Sequence, residues 1–71
     1  MTSVQDRLKL NIVIKAIEAA GYSPYAQLTG YMATGDAVYI TRYGGARTMV
    51  RDLNRETIVQ YLSDNRRASA V

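Results

Sequence analysis

The chain has 71 residues, 48% hydrophobic and 21% charged, with a net charge of +3, no cysteine and no histidine. That bounds it to one small domain. It excludes a disulfide framework, a thiolate zinc site and a cysteine nucleophile, and it removes the commonest general base and metal ligand. Apolar stretches reach only about four residues, against the roughly 20 that span a bilayer. No basic segment followed by an apolar run opens the chain. The expectation is a cytoplasmic protein with no membrane contact and no cofactor.

The elements follow in chain order. Ser3-Val4-Gln5-Asp6 can start a helix, because the serine hydroxyl accepts an orphan backbone N–H and Asp6 sits at the positive end of the dipole. Leu10, Val13, Ile14, Ile17 and Ala20 recur at helical spacing, and Gly21 closes the run. The pattern predicts a helix over about residues 4–20, with 1–6 as a short arm or frayed start. Ser23-Pro24 pairs a capping residue with a proline suited to the first helical position. Tyr25, Leu28 and Met32 then give a second helix that ends near Thr34. Gly30 lies inside it at a cost of roughly 1 kcal/mol against alanine, which suggests close packing there.

Asp36-Ala37-Val38-Tyr39-Ile40 favours a strand by residue type, but nothing else in the chain could pair with it. A short helical turn capped by Asp36 is the preferred reading, and a small strand in a winged-helix arrangement is the alternative. Gly44-Gly45 breaks the chain. Ala46, Met49, Val50 and Leu53 mark a third helix. Asn54 caps a fourth, with Glu56 in its first turn and Ile58, Val59 and Leu62 as its stripe. Residues 65–71 read as a disordered tail. The whole is an all-α bundle of about four to five short helices in a single domain.

A domain this small retains about 3–5 kcal/mol from one core. Without disulfides or a metal, self-association is the expected remedy. The six tyrosines, with no Phe or Trp, suit such a seam, because tyrosine can bury its ring and keep its hydroxyl wet. Tyr22, Tyr25, Tyr31 and Tyr39 fall near the interhelical junctions, where core packing or a dimer seam is their expected role.

Charge is uneven. Residues 1–41 are neutral overall, and the net positive charge lies in 42–71 with its six arginines. Arg47, Arg51 and Arg55 are spaced by four, with Arg42 just upstream. On one helix they would form a ridge able to hold phosphate oxygens or a partner, set against an ordinary solvated face paired to Asp52 and Glu56. Gly30-Tyr31-Met32-Ala33-Thr34-Gly35 has the glycine spacing of a phosphate-binding loop. Asp36 and Ala37 then stand where lysine and a hydroxyl residue belong, so the motif fails. Nothing amounts to an enzyme signal.

Gly21-Tyr22-Ser23-Pro24, Gln27-Leu28-Thr29-Gly30-Tyr31, Gly35-Asp36, Tyr39-Ile40-Thr41 and Ala46-Arg47 form an ordered pattern over about residues 10–62. In this the chain resembles the IreB family of small bacterial regulatory phosphoproteins. The resemblance implies a cytosolic, all-helical, dimeric, non-enzymatic protein. It also implies action downstream of a transmembrane Ser/Thr kinase and its phosphatase, restraining a response to cell-wall antibiotics in low-GC Gram-positive bacteria. It makes Gly21, Tyr22, Pro24, Gln27, Gly30, Tyr31, Gly35, Asp36 and Tyr39 the structural signature.

Three departures stand out. Family members carry phosphorylated threonines on a longer arm, whereas only Thr2 and Ser3 precede the helix here. A phosphate on either would sit near the positive end of that helix and stabilise it. Gly35-Asp36-Ala37 replaces the usual Gly-Asp-Pro, and Tyr43-Gly44-Gly45 replaces a charged stretch, loosening the way into the third helix. The expected partners are a second copy of the chain and a regulatory protein, with a Ser/Thr kinase and phosphatase acting on it. A small nucleic-acid-binding module using Arg42, Arg47, Arg51 and Arg55 is the alternative.

Overall fold

Val13 and Ile17 are fully buried on the first helix, α1 (Val4–Ala19), in a computed structural model that describes residues 4–69, with side chains through Asn65. Leu10 and Ala16 complete the same face. The chain turns at Gly21 and enters α2 (Pro24–Thr34), where the Ser23 hydroxyl accepts the Ala26 N–H at 3.3 Å, as its sequence position predicts. Gly35 ends α2 by donating its N–H to the Tyr31 carbonyl at 2.7 Å. Two single 3₁₀ turns follow, Ala37–Tyr39 and Tyr43–Gly45, then α3 (Ala46–Val50) and α4 (Arg55–Ser69). The described residues contain no strand. The 36–40 segment is therefore the Asp36-capped turn, and the winged-helix alternative is set aside.

The core is one cluster. Leu28 of α2, Ile40 after the first 3₁₀ turn, Ala46 and Val50 of α3, Leu53, and Ile58 of α4 pack against the inner face of α1. Tyr31, Met32, Met49, Tyr61 and Leu62 close over its edges. α1 crosses α3 most extensively, and α2 leans on α4. Each helix is amphipathic but too short to persist alone, so burial of these faces supplies most of its stability.

α1 starts at Val4, where the sequence reading put it, and residues 1–3 lie outside the described residues. Two boundaries differ from that reading. α3 stops at Val50, and Asn54 opens α4 by accepting the Glu56 N–H on its side chain at 2.8 Å. α4 then runs to Ser69 rather than yielding to a tail at 65. No glycine or proline interrupts Asn65-Arg66-Arg67-Ala68-Ser69, and arginine and alanine are good helix formers. Ala70 and Val71 lie outside the described residues.

The core stripe of α4 is also rotated from the expected one. Thr57 and Ile58 point inward, while Val59 is exposed.

The glycine pair after Arg42 has a reason. Gly44 has φ +63°, and a Cβ built there would lie 3.1 Å from the Ala16 Cβ of α1. The segment is a close approach to α1, not the loosened link the sequence suggests.

Candidate functional site

The short connection from Gly35 to Gly45 has little helix of its own, so its backbone groups need side-chain partners. It finds them. Asp36 Oδ1 accepts the Val38 N–H at 3.0 Å, and the Thr34 hydroxyl accepts the Asp36 N–H at 3.1 Å. Gln27, reaching from α2, accepts the Thr41 N–H on Oε1 at 2.9 Å. Thr41 Oγ1 in turn accepts the Tyr43 N–H at 3.2 Å. From the other side, Arg47 donates Nε to the Ile40 carbonyl at 2.9 Å and Nη2 to the Val38 carbonyl at 3.3 Å. One guanidinium thus clamps both carbonyls, using the forked geometry that lysine lacks. The Ile40 side chain is fully buried and anchors the segment from below.

These bonds hold a polar corner with an open concavity of about 400 Å³, lined by Tyr22, Gln27, Val38, Tyr39, Ile40, Thr41, Arg42 and Arg47. Tyr22, Val38, Tyr39 and neighbouring Tyr43 are each half or more exposed. Arg42 makes no side-chain hydrogen bond or ion pair among the described residues. The Tyr39 ring lies on Gly30, where a Cβ would come within 2.9 Å of its Cδ1. The close packing expected at Gly30 is real, but its partner is this ring rather than another helix. No carboxylate lines the concavity, so its exposed groups are aromatic surface and hydrogen-bond donors.

The arginines proposed from spacing are not one ridge. Arg42 precedes the second 3₁₀ turn, Arg47 is on α3, Arg51 caps its end, and Arg55 opens α4. The turn at 51–54 breaks the helical continuity that the four-residue spacing assumed. Only Arg42 and Arg47 meet at the concavity, and Arg47 spends part of its fork on the backbone. Arg51 and Arg55 are exposed elsewhere. Asp52 lies within that turn and Glu56 in the first turn of α4, so the two do not share one helix. Thr2 and Ser3 lie outside the described residues.

The pattern residues fare differently. Tyr22, Gln27, Tyr39 and Arg47 line the concavity. Gly30 receives Tyr39, while Tyr31, Gly35 and Asp36 lock the end of α2 to the first turn. Gly21 and Pro24 set the turn that carries Tyr22 into α2. Sequence spacing did not reveal the Arg47 clamp, since an arginine four residues from another reads as a surface ridge.

The described residues form a small all-helical domain with a side-chain-locked corner, and no helix among them is long and apolar enough to cross a membrane. The model of the IreB regulatory phosphoprotein family matches residues 2–65. The chain belongs to that family, and its role is regulatory.

Proposed function

We propose that the protein is a non-enzymatic, cytoplasmic, homodimeric regulator that acts by protein–protein contact. Its activity is set by a Ser/Thr kinase and phosphatase, in the control of a cell-wall stress or antibiotic response. The observation that carries this reading is the family match across residues 2–65, together with the gathering of the pattern residues at one exposed corner. Aromatic residues and arginine are what protein-binding surfaces concentrate, and Tyr22, Val38, Tyr39, Arg42 and Tyr43 supply them here.

A second surface supports self-association. Val4, Leu8 and Ile12 are spaced by four on α1, all exposed, and turned away from the face that carries Val13 and Ile17. A helix that is apolar on its outer face as well as its inner one has surface left to bury. Paired across a two-fold axis, that row would meet itself.

Light scattering over a dilution series tests the dimer. The wild-type chain stays dimeric at low concentration, and Leu8→Glu yields a folded monomer. A wild-type monomer, or a Leu8→Glu dimer, contradicts it. Treatment with a Ser/Thr kinase of the same cell, read by intact mass, adds one phosphate that Thr2→Val or Ser3→Ala removes. No added mass contradicts kinase control.

A further inference from the structure

The bonds that lock the corner between α2 and α3 leave a one-sided remainder. Gln27 turns its Oε1 to the Thr41 N–H at 2.9 Å, and its Nε2 has no partner among the described residues. Thr41 Oγ1 accepts the Tyr43 N–H at 3.2 Å, which leaves its own proton free to donate. Arg47 gives Nε and Nη2 to the Ile40 and Val38 carbonyls, and its Nη1 stays unbonded among the described residues. Arg42 is exposed, and its side chain has no hydrogen bond or ion pair among them either. These residues all line the concavity of about 400 Å³, and no carboxylate lines it with them. Asp36, the acid nearest to them in sequence, gives an oxygen to the Val38 N–H instead. The unmet hydrogen-bonding side chains are therefore donors, apart from the hydroxyls of Tyr22 and Tyr39, which both donate and accept.

We infer that this corner docks an acidic segment of a partner protein, with an aspartate or glutamate carboxylate meeting Arg42, Arg47 and the Gln27 amide. An apolar side chain beside that acid covers the half-exposed rings of Tyr22 and Tyr39. Charge complementarity selects this occupant. Two guanidiniums and two neutral donors line the concavity with no acid of the chain's own to satisfy them, and a charged acceptor makes the strongest hydrogen bonds to such groups. Nucleic acid fits less well, because its affinity is built from many phosphate contacts and neither Arg51 nor Arg55 lines the concavity to extend the pair into a track. The concavity is open rather than enclosing, which suits a length of chain lying across it better than a free small acid. The inference rests on the reading of this corner as a protein-contact surface and adds the chemistry of the partner.

The test is a chemical-shift titration of the full chain at fixed ionic strength. The probes are acetyl-Glu-Glu-Leu-Glu-Glu-amide, its neutral counterpart acetyl-Gln-Gln-Leu-Gln-Gln-amide, and single-stranded hexathymidylate. The acidic peptide produces saturable shifts at the Gln27 side-chain amide, the Thr41 amide and the Arg47 Nε–H. The neutral peptide binds there roughly tenfold more weakly, the scale of one hydrogen bond to a charged group. Arg42→Gln, at an exposed side chain that holds nothing in the fold, weakens the acidic peptide by a similar factor and leaves the core amides unshifted. Arg42→Glu abolishes its binding. Equal binding of the two peptides overturns the acidic class while leaving a protein-contact corner standing. The inference is overturned outright by no saturation with the acidic peptide, by an unchanged affinity in Arg42→Gln, or by tighter binding of hexathymidylate at the same signals. The dimer and kinase tests above bear on the regulatory reading alone, so the two can fail separately.

Discussion

The corner between α2 and α3 and the seam between α1 and α4 are held by different physics. In the corner, each turn is tied by a named polar bond: Asp36 to Val38, Gln27 to Thr41, and Arg47 to Ile40 and Val38. Between α1 and α4, Leu10, Ile14, Ile58 and Leu62 belong to the apolar core, and the buried Thr57 hydroxyl beside them has no hydrogen-bond partner. Hydrogen bonds to a charged group are directional and specify one geometry. Apolar burial is larger in sum but tolerates small shifts in how the helices meet. The corner is thus defined residue by residue, whereas the α1–α4 seam is defined by volume.

The largest break should come from the shared core. Ile17→Ala leaves a cavity beneath both regions and costs about 2–5 kcal/mol. In a domain of this size that leaves much of the population unfolded in a urea titration. Arg47→Ala should cost roughly 1.5–3 kcal/mol, since it strips the Val38 and Ile40 carbonyls of a charged donor. Arg47→Lys should recover little of that in the same titration, because one ammonium cannot span both carbonyls as the fork does.

Gly30→Ala pits two effects against each other. The new methyl collides with the Tyr39 ring near its base, not at its tip, so the ring cannot simply swing aside. Overpacking costs about 1–3 kcal/mol, offset by roughly 1 kcal/mol of helix propensity. A net loss of up to about 2 kcal/mol follows, with altered Tyr39 ring resonances as the local signature.

The smallest effect belongs to the α4 side. Burial, and then the nearby Glu18 charge, raise the Tyr61 hydroxyl above its ordinary value of 10.0. The folded chain therefore holds that proton more tightly than the unfolded chain does. The stabilising contribution is complete below the unfolded value and is lost as pH rises through the folded one. Tyr61→Phe should flatten the alkaline fall of the melting temperature and leave the neutral range nearly unchanged.

Much of this architecture was legible in the sequence. Ser23-Pro24 marked the start of α2, and Asp36 and Asn54 marked their caps, because capping depends on residues adjacent in the chain. The apolar spacing of α1 found Leu10, Val13 and Ile17 for the same local reason. What escaped was non-local. Nothing near Arg47 announced that Val38 and Ile40 would return to it, so its spacing with Arg51 and Arg55 read as a ridge. The turn at 51–54 then rotated α4 so that Thr57 rather than Val59 faced inward. The candidate corner emerged only when residues separated along the chain, Tyr22, Gln27, Tyr39 and Arg47, were placed around one concavity.

The central claim is that the corner is a locally locked surface whose order can be removed without dissolving the core. Native-state hydrogen exchange on wild type, Arg47→Ala and Ile17→Ala tests it most directly. In Arg47→Ala the Ile40 and Thr41 amides should exchange far faster, while the Val13 and Ile17 amides of α1 lose only what the global destabilisation requires. In Ile17→Ala both sets should fall together. If Arg47→Ala lowers protection equally at Thr41 and Ile17, the corner has no independent order, and the account of it as a built surface is wrong.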